Sequence, residues 1–129
     1  MRHTHDMRDV KITFYTCGAV AALFEDLIEM GICAVNPVQV NAKDMEPERL
    51  KREYGDRLAF WGGVDTQRIL PFGTPDEVRD ETRRIIEILG KGGGYVLNSV
   101  HNIQVEVPPE NVVAMFDAAR THRYKGAGP

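Results

Sequence analysis

The chain alternates four times between a short apolar segment and a helix-like stretch, with a turn of small or polar residues in between. The apolar segments are Ile12–Tyr15, Ile32–Val35, Leu58–Trp61 and Tyr95–Leu97. Strands that alternate with helices of this length predict βαβ units, which pair in parallel through right-handed crossovers. Four such units make half of an eight-unit barrel. We therefore expect an α/β fold, a (βα)4 half of a (β/α)8 barrel with parallel strands.

Local signals place helices between these strands. One run of apolar residues after the first strand has the i, i+3, i+4, i+7, i+8 spacing of a one-sided helix: Val20, Leu23, Phe24, Leu27 and Ile28. A charged helix should span Asp44 to Tyr54, and a third should begin at the N-cap Thr74, with Pro75 and Glu77 behind it. The last helix follows two prolines, and its apolar face should comprise Val112, Val113, Met115, Phe116 and Ala119.

These elements predict one domain over residues 11–120, flanked by an N-terminal tail or helix remnant at 1–10 and a C-terminal tail at 121–129. A half-barrel on its own would expose an apolar concave face and two unpaired strand edges, and both promote association. We therefore expect the chain to pair with a second copy of itself, as a homodimer, or with an N-terminal half-barrel partner.

The composition excludes several classes of function. The net charge is −3 at pH 7, and basic residues are interleaved with acidic ones, which argues against binding to nucleic acid. No segment approaches the about 20 apolar residues of a membrane span, and residues 1–9 lack the apolar core of a secretory signal. The two cysteines, Cys17 and Cys33, fit no small disulfide scaffold. We expect a cytoplasmic protein that contacts neither a membrane nor nucleic acid.

Polar side chains follow each predicted strand. Because the carboxyl ends of parallel strands lie on one rim of a barrel, these side chains should meet there. His101 is the candidate catalytic residue, since a histidine can donate to a substrate carboxylate or transfer a proton near neutral pH. The candidates for binding a substrate are Cys17, Asn36, Gln39, Asp65, Gln67 and Asn102.

Each candidate also has a purely structural alternative. His101 could bond the backbone of its own loop, and Cys17 could be a small buried residue at a tight turn. Asp65 could cap the segment that follows it. Asn36 and Gln39 could satisfy loop backbone groups. The residues alone leave both interpretations open.

An ordered set of motifs runs from Lys11 to Ala119. It comprises Cys17-Gly18, Asn36-Pro37-Val38-Gln39, Phe60-Trp61-Gly62-Gly63-Val64-Asp65-Thr66-Gln67, Leu70-Pro71-Phe72-Gly73-Thr74-Pro75, Gly92-Gly93-Gly94-Tyr95, His101-Asn102-Ile103-Gln104 and Val107-Pro108-Pro109-Glu110-Asn111. Together these motifs resemble the C-terminal half of the uroporphyrinogen decarboxylase superfamily, which also includes zinc-dependent corrinoid methyltransferases.

The resemblance implies decarboxylation of acetate side chains on a tetrapyrrole, without a metal or organic cofactor. A protonated pyrrole ring would serve as the electron sink. His101 matches the histidine that the family carries after its last barrel strand, so the resemblance gives it a catalytic role. The family's pyrrole-binding aspartate and carboxylate-binding arginines lie mainly in the other half of the barrel. We therefore expect this chain to be inactive alone and to need a second half-barrel.

The methyltransferase branch implies a different function. Its members hold zinc with a His-x-Cys motif and a further cysteine, so that a thiol substrate binds as thiolate. This chain has Tyr15 in place of the histidine and His101 in place of the last cysteine, which leaves Cys17 and His101 as partial zinc ligands. One alternative is thus a zinc-dependent corrinoid or thiol methyltransferase-like subunit. The other is a noncatalytic subunit that binds a tetrapyrrole or a small carboxylate.

Overall fold

The computed structural model describes residues 10–122. Its elements in chain order are β1 (Thr13–Tyr15), a 3-10 turn (Ala21–Leu23), α1 (Phe24–Glu29), β2 (Ala34–Val38), α2 (Pro47–Tyr54), β3 (Ala59–Val64), α3 (Ile69–Phe72), α4 (Pro75–Leu89), β4 (Tyr95–Ser99) and α5 (Pro109–Thr121). The strands form one parallel sheet in the order β1-β2-β3-β4. The fold is the expected (βα)4 half of a TIM barrel. The two expected tails lie almost wholly outside the described residues, and the domain boundaries stay predictions.

One face of the sheet is covered by helices. Phe14, Val35, Phe60 and Tyr95 are neighbours in register across the four strands. Val35 and Phe60 are buried in the core that the sheet forms with α1, α2 and α4, and the other two pack against that core. The Tyr95 hydroxyl donates to the Gly62 carbonyl at 2.6 Å, and burial raises the pKa of Tyr95 above its usual value.

The opposite face of the sheet has no helix against it among the described residues. Successive strand residues point to opposite faces, so the positions between the helix-packed residues share this second side, which we call the inner face. The inner face comprises Thr13, Tyr15, Ala34, Asn36, Ala59, Trp61, Val96 and Asn98. Tyr15 is 69% exposed and Val96 is 45% exposed. The sequence predicts an apolar face here, but the inner face also contains the polar residues Thr13, Asn36 and Asn98. β1 and β4 each lack a second neighbouring strand within the described sheet, as expected.

A second core joins the last helices to the end of the sheet. It contains Val64 from β3, Val78 from α4, and Ala114 and Met115 from α5. The predicted apolar face of α5 is partly wrong, because Val113 is 62% exposed and Phe116 is 52% exposed. The helix instead buries a narrower stripe that includes small residues, which lets it approach α4 closely: Asn111, Ala114, Met115 and Ala118.

The sequence prediction placed the ends of three strands too early. β2 continues to Val38, β3 to Val64 and β4 to Ser99. Parallel pairing uses backbone groups, so small and polar residues can prolong a strand beyond its apolar run. Gly62 and Gly63 have φ values of 115° and 97°, a region that favours glycine. A Cβ added at Gly63 would come within 3.0 Å of the Ile85 side chain in α4. Gly63 therefore lets α4 lie close against β3, whereas a Cβ at Gly62 would meet Pro37 and Val38 of β2.

The helix boundaries follow the sequence signals to different degrees. The N-cap of α4 is confirmed: Glu77 N–H donates to Thr74 Oγ1 at 3.3 Å, and Thr74 N–H donates to the Glu77 carboxylate at 2.7 Å. The first predicted helix begins as a 3-10 turn, and α2 begins at Pro47 because Asp44, at φ 62°, has a non-helical backbone. The short α3 was not predicted, since Pro71 within it argues against a helix. Within residues 10–122, no helix has the length and apolar character needed to cross a bilayer.

Asn111 links α5 to α3 and the turn that follows it through two side-chain hydrogen bonds, and we predict that these bonds stabilise the fold. Its side-chain amide donates to the carbonyls of Leu70 at 2.9 Å and Gly73 at 2.7 Å, and the residue is 1% exposed. Asn111→Ala should lower the free energy of unfolding by about 2 to 4 kcal/mol, because two carbonyls lose their donor. Denaturant unfolding measures the change. The exposed Asn41→Ala variant should change it by less than about 0.5 kcal/mol, and equal effects of the two would contradict the assignment.

Candidate functional site

Two adjoining clefts open where the strands end. The first has a volume of about 560 Å³ and the second about 370 Å³. The first cleft brings together six of the seven residues proposed from sequence: Cys17, Gln39, Asp65, Gln67, His101 and Asn102. The second cleft lies beside the inner face and includes Asn36. Val100, His101 and Asn102 line both clefts, so the segment that follows β4 stands between them.

The backbone around His101 is held by contacts from the end of β4. Val100 N–H donates to the Val64 carbonyl at 2.8 Å, which continues the pairing with β3. The Ser99 hydroxyl donates to the His101 carbonyl at 2.7 Å. The Gln104 amide donates to the Asn102 carbonyl at 3.0 Å and closes the loop beyond. The His101 side chain is exposed and forms no hydrogen bond within residues 10–122. Its backbone is therefore fixed while its imidazole is free to meet a ligand.

Cys17 and Gln39 come together at the ends of β1 and β2. The Gln39 side-chain oxygen accepts from Gly18 N–H at 2.9 Å, so Gln39 has the backbone-satisfying role that was one of its two interpretations. Cys17 is exposed, and the prediction that it could be a small buried residue at the turn is wrong. Cys33 is half-buried ahead of β2, with its sulfur 3.6 Å from the Gly31 carbonyl.

Asp65 shapes the segment after β3. The residue is buried, and its carboxylate accepts from Gln67 N–H at 2.8 Å, while its carbonyl accepts from Leu70 N–H at 3.1 Å. These bonds give Asp65 the capping role considered from the sequence. Asp65 and Gln67 also line the first cleft, and their contact with a substrate stays a proposal.

Asn36 lies inside β2 rather than in a loop after it, which corrects its predicted position. It is the register partner of Tyr15 in β1. Its main-chain carbonyl accepts from Thr16 N–H at 2.8 Å, so the peptide is used in pairing and the side chain remains for the second cleft.

Sequence reasoning missed several residues of the two clefts. Asn98 lines the second cleft, and Asn41, Phe72 and Glu106 line the first. The signal for Asn98 was present, because it stands two residues after Val96 in β4 and therefore shares its face. The other three lie in loops or in the unpredicted α3, where no periodicity indicates which side chains turn toward the rim.

The two clefts differ in charge. The carboxylates of Asp65 and Glu106 line the first cleft, and no carboxylate is found among the described residues that line the second. Neither lining includes lysine or arginine within residues 10–122. The half-site that this chain provides is therefore rich in neutral hydrogen-bonding groups and provides no fixed positive charge for an anionic substrate.

A zinc site built from this chain would need more ligands than it offers. Cys17 and His101 line the same cleft, but no group of three or more His, Cys, Asp and Glu side chains among the described residues could hold a metal ion. Structural and catalytic zinc sites use at least three protein ligands. The described residues therefore do not fit a zinc ion, and we assign no chemical step to a metal.

The fold defines half of a (β/α)8-barrel protein with two clefts at the carboxyl ends of its strands, the end at which barrels of this class bind their ligands. Comparison with protein families identifies which one. Residues 1–122 match the family described as uroporphyrinogen decarboxylase (URO-D). The chain belongs to the uroporphyrinogen decarboxylase family.

Individual relatives have the same description. The uroporphyrinogen decarboxylase of Thioalkalivibrio sulfidiphilus is 32% identical over 114 residues, which is 88% of this chain and 30% of that protein. The one from Hydrogenovibrio crunogenus is 30% identical over 118 residues, 92% of this chain and 31% of the relative. The one from Psychromonas ingrahamii is 38% identical over 68 residues, 53% of this chain and 19% of the relative. The chain thus spans less than a third of the length of these relatives.

The exposure of Cys17 yields a prediction for the first cleft. Iodoacetamide should alkylate Cys17 at least about tenfold faster than Cys33, because access limits the reaction of the half-buried thiol. Mass spectrometry of peptides taken over time measures both rates. In the Cys17→Ser variant only the slow phase should remain. Labelling of Cys33 as fast as that of Cys17 would show that the turn before Gly18 does not present its thiol to solvent.

Proposed function

We propose that this chain forms one half of the active site of a uroporphyrinogen decarboxylase-like enzyme. The reaction is loss of carbon dioxide from an acetate side chain of a tetrapyrrole, and a second half-barrel completes the site. The observation that carries the proposal is the position of His101, which lines both clefts at the end of β4 with its imidazole unpaired within residues 10–122. The chain's membership of the uroporphyrinogen decarboxylase family supports a tetrapyrrole as the class of substrate.

The surface of the chain supports closure by a second half-barrel. Tyr15 and Val96 leave apolar area exposed on the inner face. The helices at the two ends of the half-barrel also expose large apolar side chains: Leu23 and Met30 next to α1, and Val113 and Phe116 on α5. In a complete barrel each end helix has a further helix beside it, and each edge strand has a further strand. A second copy of this chain, or four other βα units of the family, would cover all three surfaces at once.

The proposed chemistry needs a place for the electrons of the broken bond. Protonation of the pyrrole ring makes it cationic, and the C–C bond to the carboxylate then breaks with its electron pair moving into the ring. Carbon dioxide leaves, and the remaining exocyclic carbon takes up a proton to become a methyl group. The ring then gives up the proton that it had taken, which restores the neutral pyrrole, so one proton is consumed for each carbon dioxide released. His101 is the group that moves a proton at the mouth of the clefts, a task suited to an imidazole near neutral pH. The amide-rich walls orient the substrate around it.

Carbon dioxide release from a uroporphyrinogen tests the proposal. The chain is assayed alone and together with the part of the Thioalkalivibrio sulfidiphilus relative that it does not match, supplied as a separate polypeptide. We expect decarboxylated product in at least one of these two samples, the chain alone or the chain with the second polypeptide. His101→Ala should lower the rate by about 10² to 10⁴, the range typical of a lost acid–base group, and His101→Gln should not restore it.

His122→Ala is the matched control, because His122 lies at the end of α5, where its Nε2 is 3.8 Å from Oε1 of Glu87. It should leave the rate within about twofold of the parent, below the resolution of an acid–base effect. Product formation that is equally fast in His101→Ala would refute the assigned role. Failure of both samples to release carbon dioxide, with the mixed halves shown to be bound to one another, would refute the reaction.

A further inference from the structure

Asn98 has an orientation fixed by the backbone. Its side-chain oxygen accepts from Ser99 N–H at 2.9 Å. A backbone N–H requires an acceptor, so the oxygen of the amide must be the atom that faces Ser99. The NH₂ end, which can only donate, is left for the second cleft that Asn98 lines. The cleft thus receives a donor held in place by β4.

Two further donors lie on the same inner face. Tyr15, at the end of β1, and Asn36, inside β2, are register partners, and both line the second cleft. Neither side chain forms a hydrogen bond within residues 10–122. Tyr15, Asn36 and Asn98 therefore bring one hydroxyl and two amide donors to the lining of one cleft. His101 forms the wall of that space.

The charge around this space indicates what it takes. No aspartate or glutamate is among the described residues of the second cleft, whereas Asp65 and Glu106 line the first. A group of neutral donors with no competing carboxylate suits an anionic acceptor, as in sites that stabilise oxyanions with amide and hydroxyl donors. The volume of about 370 Å³ is in the range of small-molecule sites.

We propose that Tyr15, Asn36 and Asn98 form a carboxylate subsite on the inner face, which holds one carboxylate of the substrate beside His101. The identity of the whole ligand rests on the proposed function, but the subsite itself depends only on the donors and the charge of the cleft. In this arrangement the residues of the inner face position the carboxylate that is lost, and His101 moves the proton.

Nuclear magnetic resonance of the ¹⁵N-labelled chain tests the subsite directly. The probes are a pyrrole with a carboxymethyl group and the same pyrrole with a carboxamidomethyl group. The carboxylate should shift the side-chain NH₂ signals of Asn36 and Asn98 in a saturable manner, and the amide should not. Asn98→Asp and Asn36→Asp, which replace a donor by a negative charge of the same shape, should each weaken carboxylate binding at least about tenfold.

Thr121→Asp is the control, because it adds the same charge at an exposed position at the end of α5 that lines neither cleft. It should change the affinity by less than about threefold, below the tenfold that one lost charged contact represents. Unmoved NH₂ signals, or equal binding of both probes, would overturn the subsite. Carboxylate binding in a closed barrel that releases no carbon dioxide would support the subsite and refute the decarboxylation. Carbon dioxide release at an unchanged rate in the Asn98→Asp variant would support the decarboxylation and refute the subsite.

Discussion

The one-sided packing of the parallel sheet is the constraint on which the rest of the structure depends. Phe14, Val35, Phe60 and Tyr95 align across the strands and join the sheet to the helices. Burial of such a row stabilises the sheet through the hydrophobic effect. The alternate positions have no such cover within residues 10–122, and Tyr15 and Val96 remain exposed there. The alternation of side chains along the strands therefore has two effects. It buries one face of the sheet against the helices, and it leaves the opposite face exposed within the described residues.

The same alternation places the chemistry. Strand residues that avoid the helices point to the inner face, so polar side chains such as Asn36 and Asn98 reach the space where a barrel binds its ligand without disturbing the core. His101 comes two residues after the end of β4, and the Ser99 hydroxyl donates to its backbone carbonyl. The rim residues Gln39 and Asp65 hold the loops in place through backbone contacts. The helix-packed face thus contains the core, and the open face contains the polar residues on which the proposed function depends.

Features set by local chemistry were predictable from the sequence. The capping box of Thr74 and Glu77 and the four-strand alternation are examples, since each depends on neighbouring residues. Features set by tertiary contact were not. Gly63 stands where α4 packs close to β3, and Gly62 stands where β2 approaches β3. Phe116 is exposed because α5 meets α4 through smaller residues. The gathering of candidates at one rim followed from parallel topology, whereas Asn36 required the observed register to be placed on the inner face.

The central claim is that the inner face must be covered by a second half-barrel, and the solution mass of the purified chain tests it most directly. Light scattering coupled to gel filtration at micromolar concentration should give about twice 14.5 kDa, because a second copy is then the only available cover. A stable monomer of 14.5 kDa with native secondary structure would contradict the claim, since it would show that the open face needs no partner.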